Sequence, residues 1–342
     1  MWPFLRVEVE GEDITTKIND RLICATVQEY VTHHGDTFSL TLDDRNPPID
    51  FPPKGAVIAV SMGYLQRGDN AVPYDGVKPM GVFILDERTC GKGDGGRTLS
   101  FTGHAVATFN RFKNQRTGIW ENATIEDIVR DCAQRAGLDY KVHPDVANKL
   151  IMCINQSQSD QDFLNRLAGC YSCAMKTLQG VLYFAPLDKI GMFMPSDKVP
   201  DTVKLDETDM LSWEYHSQGR AEYAGVYAPI YDKDLGKRKM LRSYQTPAMD
   251  ATYMTVPEFF ATAPEAQNAA NSVKRKHDFA KENLHVTTLG NPKLMAGSLL
   301  TLTGIRKQVP TDWRIIDSNH TIDDSGYHTT LKAEVKDIPK PE

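Results

Sequence analysis

Two stretches of this 342-residue chain read as versions of one another. Gly55-Ala56-Val57-Ile58-Ala59-Val60-Ser61-Met62-Gly63 is echoed by Gly297-Ser298-Leu299-Leu300-Thr301-Leu302-Thr303-Gly304. The likeness continues in order, Phe83-Ile84-Leu85-Asp86 pairing with Arg314-Ile315-Ile316-Asp317 and Gly96-Arg97-Thr98-Leu99 with His328-Thr329-Thr330-Leu331. The first copy carries a longer excursion, Tyr64 to Met80, where the second has only Ile305 to Asp312. A repeated strand unit confines the chain to a mainly β architecture in which two similar β bodies share one polypeptide. Short β motifs with Gly and Asp turns also recur by chance, so duplication is an expectation for the structure to meet.

Around that repeat the chain alternates in character. Residues 1–110 carry short apolar alternations at Leu5-Val7-Val9, Phe38-Leu40-Leu42, Val57 to Val60, Val82 to Leu85 and Leu99-Phe101, each bounded by Gly, Pro, Asn or Asp; this spacing suits a barrel or sandwich. Residues 111–187 read as an α/β insertion. Thr124 caps a helix with Asp127 three positions on, Ile128, Val129, Cys132 and Ala136 continue its apolar stripe, and Gly137 ends it. A second helix starts near Asp160, and Gly180 turns the chain into the strand Val181-Leu182-Tyr183-Phe184. Residues 188–342 return to β, interrupted at about 232–283 by a partly helical insertion in which Pro264 opens a helix carrying Ala266, Ala269, Ala270, Val273 and Phe279.

Composition narrows the function classes. Thirty-nine Lys and Arg against 45 Asp and Glu leave a net charge of -6, which argues against general attraction to nucleic acid or anionic lipid. No apolar run approaches the ~20 residues of a bilayer-spanning helix, and the N-terminus lacks the pattern of a secretory signal, so the chain is expected to start in the cytosol with its six cysteines reduced.

The chemical motifs weigh toward structural readings. Gly91-Lys92-Gly93-Asp94-Gly95-Gly96 satisfies G-x-G-x-x-G, but Arg97 to Phe101 alternates as a strand, so a glycine-rich hairpin fits better than a nucleotide loop. Cys170-Tyr171-Ser172-Cys173 has zinc spacing without a second C-x-x-C or a downstream His pair, and both cysteines read as packing residues. His33-His34-Gly35-Asp36 reads as a turn, and Lys274-Arg275-Lys276-His277 as a solvated or subunit-facing helix face. No H-E-x-x-H, G-x-S-x-G or P-loop occurs, and no Asp/Glu pair is singled out by spacing. The expectation is no catalytic site, no cofactor and no metal site, with a peptidoglycan hydrolase working through an acidic pair as the minor alternative.

Gln156-Ser157-Gln158-Ser159-Asp160-Gln161-Asp162-Phe163-Leu164-Asn165-Arg166-Leu167-Ala168 resembles the late control protein D family of contractile-tailed phages, the baseplate hub or tail protein D. The resemblance spans nearly the whole chain. It takes in Trp120-Glu121-Asn122-Ala123-Thr124, Gly180 to Pro186, Ser212-Trp213-Glu214-Tyr215, Arg220, Tyr223 and Gly225-Val226-Tyr227-Ala228. It continues through Leu289 to Gly297 and Trp313-Arg314-Ile315-Ile316-Asp317 to His320 and Gly326 to Leu331; residues 231–264 depart most.

The resemblance implies a non-enzymatic structural hub at the virion tail baseplate, assembled in the bacterial host cytoplasm. Its fold would be mainly β with α/β insertions: two tail-tube-like β-barrel domains related by internal duplication, forming a pseudo-sixfold ring as a homotrimer. A trimer of duplicated barrels offers six similar surfaces to a hexameric tail tube or tube initiator and three identical ones to a trimeric spike. The implied partners are the tube, a separate spike, a tape-measure protein and other baseplate proteins, with DNA passing through the lumen and no membrane or specific nucleic-acid binding. The hub of a tailocin, a type VI or an extracellular injection system would use the same fold.

Overall fold

The structure, a computed structural model, describes every residue except 1, 32–34, 46, 66–75, 94, 106–111, 179, 191–201, 218–222, 233–235, 244–251, 280 and 337–342. The expected His33-His34 turn, Arg220, Asp94 and most of the first-copy excursion therefore lie outside the described residues. Two compact units share the chain, one of Met1–Thr108, Asp197–Glu214 and Leu284–Ala333, the other of Phe109–Ser196, Tyr215–Asn283 and Glu334–Glu342.

The first unit begins with strands β1 (Trp2–Val9), β2 (Glu12–Asp13), β3 (Leu22–Tyr30), β4 (Thr37–Asp43), β5 (Val57–Leu65), β6 (Lys78–Gly93) and β7 (Gly96–Ala105), with the one-turn helix α1 (Thr15–Ile18) before β3. Alternation does the placing: on β4, Phe38, Leu40 and Leu42 point inward while Ser39 and Thr41 stay partly exposed. Together with Val60, Met62, Phe83, Leu85 and Leu99 they form the unit's core, each such side chain contributing about 1.5–3 kcal/mol by leaving water.

In the second unit β8 (Gly118–Thr124) precedes α2 (Ile125–Ala136), followed by β9 (Asp139–Val142), α3 (Pro144–Ala147), β10 (Leu150–Gln156), α4 (Asp160–Cys170), β11 (Cys173–Leu178) and β12 (Val181–Pro186). The capping box at Thr124 and Asp127 forms as the sequence requires, and Gly137 closes α2 at φ 75°. Ile128, Val129 and Cys132 of α2 bury against Phe163, Leu164 and Leu167 of α4 and against Leu182 and Phe184 of β12.

Strands β13 (Val203–Asp206) and β14 (Met210–Ser217) follow, then β15 (Tyr223–Asp232), β16 (Lys237–Arg242), β17 (Thr252–Thr255) and α5 (Ala263–Phe279), and finally β18 (Glu282–Leu289), β19 (Leu299–Thr303), β20 (Asp312–Asp323) and β21 (Gly326–Val335). Helix α5 packs Ala266 and Ala270 on Val226, Ala228 and Ile230 of β15. It also joins the α/β part of its unit, where Ser172 N donates to Ser272 Oγ at 2.9 Å and Met152 N to Glu265 Oε1 at 2.7 Å.

Thirteen strands make one sheet in the order β14-β18-β21-β20-β3-β4-β7-β6-β5-β1-β2, with β19 paired to β20 and β13 to β19. Among the described residues this path is open and no closed barrel forms. The two halves of the chain meet where β20 pairs antiparallel with β3, Asp317 opposite Tyr30 and Asp323 opposite Cys24.

The repeated segments occupy matching places. Gly55 N donates to Leu85 O and Leu85 N to Ala56 O, both at 2.9 Å; Gly297 N donates to Ile315 O at 2.8 Å and Ile315 N to Ser298 O at 3.0 Å. Both glycines have positive φ, 81° and 96°, which leads the chain into its strand where a β-carbon would be strained. The hairpin that follows turns between Gly93 and Gly96 in one half and between Asp323 and Gly326 in the other. Gly326 stands 230 positions after Gly96, as Ile315 does after Leu85. The sequence pairing of Phe83 with Arg314 and of Gly96 with His328 is thus displaced by one and two residues from the structural match, because short alternating strands align almost equally well at neighbouring registers.

Candidate functional site

Residues of this chain that carry recognisable sequence build two buried polar clusters, one in each unit. In the second unit Asp160 opens α4 and is fully buried. Arg135 donates to it twice, Nη2 to Oδ1 at 2.7 Å and Nε to Oδ2 at 3.1 Å; Arg116 Nε donates at 3.0 Å and Gln156 Nε2 at 2.7 Å. Burial works to raise the Asp160 carboxyl, but the hydrogen bonds of Arg135 and Gln156 and the two guanidinium charges outweigh it and hold it below the usual carboxylate range. Trp120 extends the cluster. Its Nε1 donates to Gln156 Oε1 at 3.1 Å, its ring stacks on Phe163 with centroids 6.2 Å apart, and Arg135 lies over it at 5.3 Å.

Trp120, Gln156, Asp160 and Phe163, distant or adjacent in sequence, meet in one cluster. They pin β8, β10, α2 and α4 to one another around a satisfied charge, which is a structural task. Among the described residues Asp127, Asp145, Asp160 and Asp206 are likewise held below the usual carboxylate range, each by the hydrogen bonds it accepts from neighbouring side chains.

In the first unit His320 of β20 is fully buried, with Ser318 Oγ 3.0 Å from Nε2 and Tyr327 OH and Thr329 Oγ1 3.0 and 3.1 Å from Nδ1. Ser318 Oγ donates to Leu294 O, so it accepts from Nε2–H, and Nδ1 is the acceptor. Burial pushes the imidazole down to about 4, opposed by the Leu294 carbonyl. Gly290 lies against the same tyrosine: a β-carbon there would sit 2.0 Å from Tyr327 Cγ, and Gly290 N donates to Tyr327 O at 2.7 Å. The Leu289 to Gly297 stretch is therefore fixed by close approach to β21.

Other motifs resolve as follows. The G-x-G-x-x-G glycines lie at the β6–β7 hairpin end, with a strand and no helix after them. Cys170 ends α4 and Cys173 opens β11; burial pushes both thiols up to about 12, leaving them protonated and inert. No group of three or more metal-ligating side chains occurs among the described residues. The solvated or subunit-facing reading of Lys274 to His277 needs correction at Lys274, which is buried with its Nζ gripping both Asp278 oxygens at 2.5 and 2.6 Å; Lys276 is exposed, Arg275 lies over Phe279, and His277 meets Tyr223 edge-on. No described helix is long and apolar enough to cross a membrane.

A groove of about 580 Å³ in the second unit runs past Ile154, Cys170, Phe259 and the Arg166–Glu258 pair. A cavity of about 400 Å³ in the first unit is lined by Val7, Ile18, Leu40, Ile58 and Phe101. In the groove the Cys170 thiol donates to Glu258 Oε2 at 3.8 Å, and burial together with that carboxylate keeps the thiol protonated. Sequence reasoning passed over both buried clusters; the one available signal was the run of polar residues, Gln156, Ser159 and Asp160, immediately before an apolar helix.

No protein-family profile matches the chain. Among characterised proteins it is 26% identical over 375 aligned positions to the probable baseplate hub protein of Escherichia phage P2 and 25% over 381 to that of Escherichia phage 186, each alignment covering 98% of this chain and 93% of the relative. Among solved structures it superposes on the 43 kDa tail protein of prophage MuSo2 from Shewanella oneidensis with TM-score 0.70 and 12% identity, covering 98% of both chains. The tail protein from Neisseria meningitidis MC58 gives TM-score 0.69 and 14% identity over 99% of this chain and 98% of that one. The E. coli c3393 protein, described as a type VI secretion component similar to T4 tail proteins gp27 and gp5, gives TM-score 0.54 and 10% identity over all of this chain and 78% of that one. The resemblance read from the sequence is met: the chain is similar to phage baseplate hub proteins over nearly its whole length and has the fold of phage tail proteins.

Proposed function

We propose that this chain is a structural baseplate hub protein of a contractile phage-type tail, joining the hexameric tail tube to a trimeric central spike as a homotrimer. One observation carries the reading beyond the similarity itself. The strand order β3-β4-β7-β6 of the first half recurs as β14-β18-β21-β20 in the second, within one continuous sheet. A chain that presents the same strand unit twice supplies six similar segments from three copies, the number a hexameric tube requires, while keeping threefold symmetry for a spike.

In this reading the repeated units, within residues 1–110 and 188–342, are two tube-like barrel domains whose closure comes from neighbouring copies. The 111–187 domain and the 232–283 insertion, joined through Ser172–Ser272 and Met152–Glu265, form the attachment for other baseplate proteins. The role is mechanical, and the location is the baseplate of the particle. The likeness to a type VI component extends the fold to injection systems in general, and the neighbouring genes distinguish a phage tail from a tailocin or secretion apparatus.

Light scattering on the purified chain, alone and mixed with its tube and spike proteins, tests the proposal. The expected species is three 38.3 kDa chains, roughly 115 kDa, alone or with the spike. A stable monomer that ignores both proteins would count against it, and so would reproducible lysis of purified cell wall lost on mutating one acidic pair.

A further inference from the structure

We propose that the terminal strand β14 of one copy adds antiparallel to the Arg88–Gly93 stretch of β6 in a second copy, with Cys90 opposite Tyr215 and Lys92 opposite Trp213. The chain holds its own template for this contact in the β20–β3 seam. Three correspondences fix the register.

First, β3 and β14 are equivalent. Each follows directly on a three-residue 3-10 turn, Asn19–Arg21 before Leu22 and Glu207–Asp209 before Met210, a constant displacement of 188. Their inward positions agree, Ala25 and Val27 in one and Trp213 and Tyr215 in the other. Second, β6 and β20 are equivalent at a displacement of 230 through the hairpin described above. Third, the strands between them match in detail: Thr41 Oγ1 meets Ser100 Oγ at 3.0 Å across β4 and β7, and Thr287 Oγ1 meets Thr330 Oγ1 at 3.3 Å across β18 and β21.

What β20 does with its far half is therefore what β6 is shaped to do. β20 gives its first residues to β19 and Asp317–Asp323 to β3. β6 gives Lys78–Ile84 to β5, while beyond Leu85 its edge on that side meets no strand among the described residues. At the other limit of the sheet β14 is the terminal strand, paired on one side to β18. Transferring the seam by 230 and 188 residues sets Arg88 opposite Ser217 and Gly93 opposite Ser212.

The chemistry of the edges agrees with a second copy as occupant. Arg88–Gly93 is almost wholly exposed, and in this register Lys92 stands opposite the half-buried Trp213, whose ring gives it an aromatic face. Two long edges on one soluble assembly protein are an aggregation hazard unless each is the other's partner. The contact is heterologous, head of one copy to tail of the next, the kind that generates a ring where the rotation between copies closes. The count of three rests on the hub reading above; the seam rests on the repeated strand order.

Cross-linking tests it on the full chain and on particles from producing cells. In a Cys153→Ser background, Tyr215→Cys faces the native Cys90 of the neighbour, and mild oxidation or a short bismaleimide should give a ladder ending at trimer that disappears with Cys90→Ser. A second pair on the opposite face, Thr89→Cys with His216→Cys and Cys90→Ser, should link equally. His216→Cys with Cys90 retained should not, since strand neighbours project to opposite faces. An oligomer of trimer mass in which neither matched pair links, or in which the mismatched pair links as well, overturns the seam and leaves the hub reading standing. A chain that stays monomeric in solution and is absent from particles overturns both.

Discussion

Lowering the pH from 7.5 to 5 is expected to weaken the first unit through one side chain, His320. The ring is fully buried and neutral, with Nε2 against Ser318 and Nδ1 against the Tyr327 and Thr329 hydroxyls, so charging it would place a cation away from solvent with no carboxylate among these partners. Its folded-state pKa is pushed down to about 4 from 6.5. Between those values the unfolded chain binds the proton and the folded chain does not, so stability is complete above pH 6.5 and falls as the pH drops toward 4. The full gap corresponds to about 3.4 kcal/mol, of which about 2 kcal/mol is lost by pH 5. Urea unfolding followed by the fluorescence of Trp313, buried in the same sheet, measures this in wild type and in His320→Gln, which keeps a donor at the Nε2 position and cannot titrate. The wild type should lose about 2 kcal/mol more than the variant between the two pH values. Equal losses would refute the reasoning.

Three further outcomes follow from named contacts. Gly290→Ala puts a β-carbon 2.0 Å from the Tyr327 ring and should cost about 3 kcal/mol or more, seen as a lowered melting temperature; an unchanged melt would mean the β21 approach is looser than described. Asp160→Ala leaves Arg116, Arg135 and Gln156 facing a carboxylate that is gone and should destabilise the second unit by about 3–5 kcal/mol, read by limited proteolysis within residues 112–186, with Asp160→Asn milder. Leu302→Asp buries a carboxylate on β19 and is expected to abolish particles, so normal infectivity would refute that placement.

Much of this was legible in the sequence because it is written locally. The Thr124–Asp127 box, the Gly137 stop and the alternations at Phe38-Leu40-Leu42 and Val57 to Val60 each need only a few consecutive residues. β3 escaped notice because its inward positions, Ala25, Val27 and Glu29, alternate with Cys24, Thr26 and Gln28, too polar and too small to register as a strand. The role of Asp160 was hidden for another reason: its partners Arg116 and Arg135 come from 44 and 25 residues away. The same holds for the burial of Lys274, whose Asp278 partner is local but whose covered face depends on tertiary packing. The seam between the halves, where Thr26 Oγ1 meets Thr321 Oγ1 at 3.5 Å across 295 residues, has no local signature at all.

The most direct test of the hub assignment is a cryo-electron-microscopy map of the purified particle. The expected result is three copies of this chain at the tip of the tail tube, their repeated sheets alternating around the channel as six similar segments with the spike attached on the far side. Density for this chain on a fibre, along the sheath or nowhere in the particle would contradict it.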